Sequence, residues 1–222
     1  MSSFRAVLFD LGDTLIRLTG SGEELLRRAA ASLGHAGLDP ADVAQVWRRV
    51  LERASSAEEL AKGRDLSTAR HREVWTALYE AAGCERLLPG LGGALYELSV
   101  RADSWEAFPD SLPTLRAVRD RGLRIGVVSD TGFDFRPALV RLGLSPYLDT
   151  VVLSYEQGIC KPDPTLFRTA CERLRVEPAE VLMVGDNPIT DSGAVLAGIH
   201  VLLLPTAPPG GPRGLRHVLS LL

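Results

Sequence analysis

The sequence predicts a doubly wound α/β fold, in which helices cover both faces of a parallel β-sheet, with a helical segment inserted near its start. Short, continuous apolar runs recur along the chain, helical patterns separate the later runs, and one long interval contains helical patterns alone. Apolar runs without polar alternation are typical of strands that are buried on both faces of a parallel sheet. Strands that alternate with helices through short connections indicate the doubly wound arrangement.

Five apolar runs supply the predicted strands, and most of them end at a small or acidic residue. They cover residues 6–9, 125–128, 151–153, 181–184 and 201–204. Apolar residues recur at helical spacing in 112–118 and 166–174, which lie between these runs. A Pro/Gly-rich loop over 205–212 is followed by a short terminal helix.

The interval between Leu15 and Phe108 shows no convincing strand, and we interpret it as a helical insertion. Three amphipathic stretches predict its helices, at 22–34, 40–57 and 68–83. Residues 1–15 and 105–222 are therefore predicted to form the core domain, and residues 16–104 a helical cap domain. The segments 15–16 and 104–108 are the expected hinges between them.

Composition and charge exclude several classes of protein. The chain is 45% hydrophobic and 24% charged, as in soluble globular proteins, and its net charge is −3. That charge gives no cationic field for nucleic acid or for an anionic membrane surface, and no apolar run is long enough to span a bilayer. The three cysteines form no CxxC pair, so we expect a reduced, cytoplasmic protein. Its oligomeric state stays open between monomer and homodimer.

Polar residues, together with one glycine, follow the predicted strands. Ligands bind at the carboxyl ends of strands in open α/β sheets, so we expect these residues to converge. They are Asp10, Gly12 and Asp13 after the first run, Ser129 and Asp130 after the second, Lys161 after the third, and Asp186 and Asp191 after the fourth. Any one acidic residue at a strand end is more often a cap or turn former, but the joint pattern predicts a site.

The convergent set is chemically suited to a metal ion and a phosphate group. Carboxylates from separate strands repel one another unless a cation lies among them, and oxygen ligands favour a hard divalent ion, with Mg²⁺ preferred beside phosphate. Lys161 would offer a fixed positive charge to phosphoryl oxygens, and Ser129 a hydroxyl. An Asp beside such a metal can attack phosphorus and form an aspartyl-phosphate.

Four segments of this set resemble, in the same order along the chain, the four motifs of the haloacid dehalogenase (HAD) superfamily. They are FDLGDTL (9–15), VVSD (127–130), KPDP (161–164) and VGDNPITD (184–191). The helical insertion directly after the first motif is similar to the cap of the phosphoglycolate phosphatase and haloacid dehalogenase branch. The resemblance covers essentially the whole chain and implies a HAD-like Rossmannoid core.

The resemblance implies a role for each residue on the metal side of the site. Asp10 would be the nucleophile and, through its second oxygen, a ligand of Mg²⁺. The backbone carbonyl of Gly12 and the carboxylate of Asp186 would be further ligands, and Asp191 would act on the same metal directly or through water.

The resemblance also implies which residues hold the phosphoryl group. The Ser129 hydroxyl and the backbone amide of Asp130 would bind its oxygens, and Lys161 would neutralise Asp10 and the group in transfer. The expected function is Mg²⁺-dependent hydrolysis of a small phosphorylated metabolite.

One position departs from the family pattern. Phosphatases of the family carry a second Asp two residues after the nucleophile, which protonates the leaving oxygen and activates water; this chain has Gly12 there and Asp13 one place later. Adjacent residues of an extended chain point to opposite sides. Asp13 can therefore serve as the acid only if the loop turns differently from the usual one.

Three alternatives remain open from the sequence. The dehalogenase branch also lacks the second Asp and works without a metal, although Asp186 and Asp191 together favour the phosphohydrolase. A phosphonate hydrolase could use Lys62 of the insertion as a Schiff base, although a solvated surface lysine is the simpler interpretation. A non-catalytic binding protein that keeps the fold is compatible with Gly12 but leaves the joint presence of the other site residues unexplained.

The substrate cannot be named from the sequence of the insertion. Arg64, Arg70 or Arg72 could bind an anionic substrate, but surface helix charge explains them equally well. The three tryptophans are expected to pack within the cap and hinge, or in one case to line the substrate pocket: Trp47, Trp75 and Trp105.

Overall fold

The computed structural model describes residues 4–205 and 211–222 and contains the predicted parallel sheet. Its strands are β1 (Ala6–Phe9), β2 (Ile16–Leu18), β3 (Trp105–Ala107), β4 (Arg124–Ser129), β5 (Thr150–Leu153), β6 (Val181–Gly185) and β7 (His200–Leu203). Five of them form one sheet in the order β5-β4-β1-β6-β7, in which every neighbouring pair is parallel. Each of the five predicted strands is present.

The helices before β3 are α1 (Gly22–Ser32), α2 (Pro40–Ala54), α3 (Ala57–Leu60), α4 (Thr68–Ala82), α5 (Cys84–Leu87) and α6 (Leu91–Ser99). The helices after it are α7 (Ser111–Asp120), α8 (Arg136–Arg141), α9 (Ser154–Gln157), α10 (Pro164–Leu174) and α11 (Arg216–Leu219). The helical patterns at 112–118 and 166–174 thus correspond to α7 and α10, and the short terminal helix is α11.

Strand β1 lies at the centre of the sheet and is fully buried. Its alternate side chains enter two different apolar cores. Val7 and Phe9 pack in one core with α7, whereas Ala6 and Leu8 pack in the other with α10. Helices therefore cover both faces of the sheet, and the predicted doubly wound fold class is confirmed. This arrangement places the carboxyl end of β1, and with it Asp10, in the middle of the sheet edge.

The helices of the insertion pack around a third apolar core of their own. Leu25 and Leu26 of α1, Val46 of α2 and Leu78 of α4 are buried together there. Helices α1, α2 and α4 match the three predicted amphipathic stretches. The Asp39 side chain caps α2, because it accepts hydrogen bonds from two amides of the first turn of that helix. A separate core supports the proposed division into a core domain (1–15 and 105–222) and a cap domain (16–104).

The prediction that no strand lies between Leu15 and Phe108 is wrong. Strands β2 and β3 form an antiparallel two-stranded ribbon, with Ile16 opposite Ala107 and Leu18 opposite Trp105. Each strand has three residues, which is too short for an alternation or an apolar run to be visible in the sequence. The ribbon lies in both expected hinge segments. The two chain segments that connect the core domain with the cap domain are therefore hydrogen-bonded to each other.

The chain after β7 lies only partly within the described residues. The predicted loop over 205–212 falls largely on residues 206–210, which are outside them. Among residues 4–205 and 211–222, no helix is long and apolar enough to cross a membrane.

Candidate active site

A cavity of about 520 Å³ lies at the carboxyl ends of the sheet strands and extends to the helices of the insertion. Every site residue predicted from the sequence lines it: Asp10, Gly12, Asp13, Ser129, Asp130, Lys161, Asp186 and Asp191. The structure thus brings together residues that are far apart in the chain, from Asp10 to Asp191. Their chemical roles remain proposals.

Lys161 lies between two buried carboxylates. Its Nζ donates hydrogen bonds of 2.6 Å to Oδ1 of Asp10 and of 2.6 Å to Oδ1 of Asp191. All three residues are buried, and Asp191 is completely so. Burial by itself lowers the pKa of Lys161, but the two carboxylates raise it above its ordinary value. The ammonium group is therefore charged at any physiological pH.

One ammonium does not compensate the negative charge that collects here. Burial raises the pKa of Asp10 to about 7, Lys161 opposes this shift, and the Asp191 carboxylate adds to it. Burial also raises the pKa of Asp186, and Asp191 again adds to the shift. These shifts mean that the carboxylates at this point would be stabilised in their charged form by a further cation.

The arrangement of these carboxylates fits a hard divalent cation. One oxygen from each of Asp10, Asp186 and Asp191 lies within 4.8 Å of the others. A donor set made of oxygen atoms is the one that Mg²⁺ and Ca²⁺ prefer over softer metals. These three residues could therefore hold a metal ion at the end of β1.

Asp191 is fixed by hydrogen bonds on both of its oxygens. While Oδ1 accepts from Lys161, Oδ2 accepts from the backbone amides of Asp186 (3.0 Å) and Asn187 (2.9 Å). A side chain at Gly185 would collide with this carboxylate, so glycine at that position permits the close approach. The turn after β6 thus orients Asp191 toward Lys161 and holds Asp186 at the cavity.

Two residues at the end of β4, Ser129 and Asp130, also line the cavity. Ser129 is 3% exposed and contributes to the cavity wall. Oδ1 of Asp130 accepts a hydrogen bond of 2.9 Å from the backbone amide of Lys161. Asp130 therefore also positions Lys161, a function of its side chain that the sequence analysis missed.

The loop after β1 turns sharply at Asp13. This residue has a φ of 55°, in the left-handed region that non-glycine residues seldom adopt, and its amide donates to the carbonyl of Ile16 at 2.8 Å. The Asp13 side chain is exposed on the cavity wall, close enough to contribute to the raised pKa of Asp186 after burial and Asp191. The loop therefore does not continue in the extended form in which Asp13 would point away from the site.

Three polar residues of the insertion also line the cavity: Arg64, Asp65 and His71. Of the three arginines considered from the sequence, Arg64 alone is among the cavity residues; Arg70 and Arg72 form ion pairs with glutamates on the surface. Asp65 and His71 were missed, since no motif marks them. Their position depends on contacts between distant segments, such as the hydrogen bond of 2.7 Å from Ser154 Oγ to the Asp65 carbonyl.

A buried arginine from the C-terminal segment supports the loop after β1. The Arg213 guanidinium donates hydrogen bonds to the backbone carbonyls of Asp13, Leu204 and Pro205. Its segment is held in turn by Asp110, whose carboxylate accepts from three consecutive amides beginning at Arg213. No pattern in the sequence relates Arg213 to a loop 200 positions earlier, so this contact could not be predicted from the sequence.

The fold and the site together define a doubly wound α/β protein with an inserted helical segment and an acid-rich centre at its strand ends. The family model described as haloacid dehalogenase-like hydrolase matches residues 4–198. The chain therefore belongs to the haloacid dehalogenase-like hydrolase family, as the four motifs predicted.

Sequence similarity to named relatives extends over most of the chain. Phosphoserine phosphatase of Thermus thermophilus is 33% identical, covering 94% of this chain and 86% of the relative. Glyceraldehyde 3-phosphate phosphatase of Methanopyrus kandleri is 31% identical, covering 88% of this chain and 81% of the relative. A solved structure described as a dehalogenase covers 100% of this chain and 98% of its own, with a TM-score of 0.69 at 24% identity, a likeness of fold.

Arg213 is expected to contribute strongly to stability. In Arg213→Met three carbonyls lose a charged donor, so the free energy of unfolding should fall by roughly 2–4 kcal/mol in chemical denaturation. Arg216→Met removes an exposed arginine three positions later and is the matched control. Equal stability of the two variants would contradict the assigned contacts.

Proposed function

We propose that this protein is a Mg²⁺-dependent phosphohydrolase that acts on a small phosphorylated metabolite through an aspartyl-phosphate at Asp10. The observation that carries the proposal is the position of the Asp10 carboxylate: buried at the end of the central strand, it accepts a hydrogen bond from the Lys161 ammonium and lies within 4.8 Å of two further carboxylates. Phosphatase names among the relatives support it, and so do their substrates, phosphoserine and glyceraldehyde 3-phosphate, which are small phosphate esters.

Asp10, Asp186 and Asp191, with the backbone carbonyl of Gly12, would hold Mg²⁺. The ion would supply positive charge that offsets the repulsion between the carboxylates and the phosphoryl oxygens. Its binding site and the phosphate site would share the Asp10 carboxylate.

Asp10 performs the first chemical step. One carboxylate oxygen attacks phosphorus, the new C–O–P bond forms, and the bond from phosphorus to the leaving oxygen breaks. Lys161 compensates the charge of the nucleophile and of the phosphoryl group, and the Ser129 hydroxyl and Asp130 amide donate hydrogen bonds to the phosphoryl oxygens.

The second step returns the enzyme to its starting state. Water attacks the phosphorus of the aspartyl-phosphate, and the bond from phosphorus to the Asp10 oxygen breaks. Inorganic phosphate leaves with the oxygen and a proton of that water, the other proton passes to solvent, and the Asp10 carboxylate is restored. Closure of the cap over the cavity would exclude water during the first step and readmit it for the second.

The leaving oxygen needs a proton when it is a poor leaving group, and Asp13 is the candidate donor within the loop. Its left-handed backbone and its place on the cavity wall support this role. Gly12, which stands where the family has its acid, carries no side chain for it.

The proposal is tested by hydrolysis of an aryl phosphate with Mg²⁺ and with a chelator. Turnover should require the metal, and Asp10→Asn should lower it by at least about 10³-fold, because the nucleophile is removed. Asp120→Asn changes an exposed carboxylate at the end of α7 and is the matched control. Halide release from a 2-haloacid in the chelator, without phosphate release in Mg²⁺, would instead establish a dehalogenase.

The variant Gly12→Asp measures how glycine at position 12 affects the rates at which alkyl and aryl phosphates are hydrolysed. A β-carbon is accommodated there, because on Gly12 it meets no atom within 4 Å. We expect the variant to raise hydrolysis of alkyl phosphates relative to aryl phosphates by roughly 10²-fold, since general acid catalysis helps poor leaving groups most.

A fall in both rates would contradict this account of Gly12. Asp13→Asn provides the complementary measurement: if Asp13 is the acid, this variant loses alkyl phosphate hydrolysis more than aryl phosphate hydrolysis.

A further inference from the structure

The part of the cavity that faces the insertion is mainly apolar and rich in aromatic rings. Its wall includes every tryptophan of the chain. The aromatic and aliphatic side chains that matter most for the argument are Trp47, Trp75, Trp105, Phe133, Phe135 and Leu25. Rings in such a wall can pack against a further ring in offset or edge-to-face geometry.

Arg64, a cation contributed to this wall by the insertion, already has partners. Its guanidinium lies 4.8 Å from the centre of the Trp75 ring, and Nη1 donates a hydrogen bond of 2.9 Å to the Ala54 carbonyl. Nε lies 3.6 Å from Oδ2 of Asp65. The charge of Arg64 is therefore offset by a neighbouring carboxylate, and its position is fixed by the ring and the carbonyl.

His71 adds no positive charge to the wall. Burial lowers its pKa to about 4, and Arg64 adds to this shift. Nδ1 lies 3.0 Å from the Tyr96 hydroxyl, and Nε2 lies 3.6 Å from Oδ1 of Asp65. At neutral pH the imidazole is uncharged and packed between these two groups, so it cannot balance an anionic substrate group.

We infer that the organic part of the substrate is an uncharged aromatic group, so that the protein acts on aryl phosphate monoesters without a carboxylate. This inference rests on the proposed phosphatase activity and specifies its substrate class. Burial of an apolar ring against the wall is favourable, whereas a carboxylate placed there would lose its hydration and face the Asp65 carboxylate.

Two phosphate esters with leaving groups of similar reactivity test the inference: 4-ethylphenyl phosphate and 4-(carboxymethyl)phenyl phosphate. In both, a methylene separates the varied group from the ring, so the phenolic oxygens differ little in reactivity. With Mg²⁺, kcat/KM should favour the ethyl ester by at least about tenfold. Equal values, or a preference for the carboxylate, would overturn the inference.

Asp65→Asn tests the charge balance of the wall. It leaves the Asp65 carbonyl available to Ser154 but removes the carboxylate beside Arg64, so the preference for the ethyl ester should shrink by about tenfold. Glu73→Gln, an exposed change on α4 outside the cavity wall, is the matched control and should leave the ratio unchanged. An unchanged ratio in Asp65→Asn would overturn the charge argument.

Binding separates this inference from the proposed function. Benzylphosphonates with the same two para substituents carry a P–C bond that phosphate ester hydrolysis does not break, and their binding should change the fluorescence of the cavity tryptophans. Tighter binding of the ethyl compound, with no turnover of either ester, would refute the phosphatase and keep the apolar preference. Turnover of both esters, with equal binding, would refute the preference and keep the phosphatase.

Discussion

The ammonium group of Lys161, held between Asp10 and Asp191, is the interaction on which the rest of the site depends. It joins the end of the central strand β1, the segment before α10 and the turn after β6. Removal of one partner from a buried ion pair typically costs roughly 3–5 kcal/mol, because the remaining charge is left uncompensated. These three segments therefore have to be positioned accurately relative to one another, and the contacts around them hold them in place.

Two features of the surrounding backbone follow from this requirement. Gly185 lacks the side chain that would collide with Asp191, and the Asp130 carboxylate fixes the amide of Lys161. Since two carboxylates share one ammonium and Asp186 lies beside them, the centre is still rich in negative charge. That surplus is what makes a divalent cation, and then a phosphoryl group bound to it, physically reasonable at this place.

The sequence predicted the features that depend on local patterns and on the rule for strand ends. Continuous apolar runs marked all five strands of the sheet, and the residues after them included every member of the centre. It did not predict the ribbon of β2 and β3, whose strands are three residues long. It also missed Arg213, Asp65 and His71, because their partners lie far away in the chain and such contacts leave no periodicity or motif. For the same reason the charge balance of Arg64 was visible only in the structure.

The central claim is that phosphorus becomes bonded to Asp10 during turnover, and direct chemical detection tests it. The enzyme would be mixed with Mg²⁺ and an excess of an aryl phosphate, quenched in acid within the first turnovers, digested and mapped by mass spectrometry. The account predicts a phosphoryl group on the peptide that contains Asp10, and its absence in Asp10→Asn. Steady release of phosphate while the Asp10 peptide stays unmodified at every quench time, or a phosphoryl group on another residue, would contradict it.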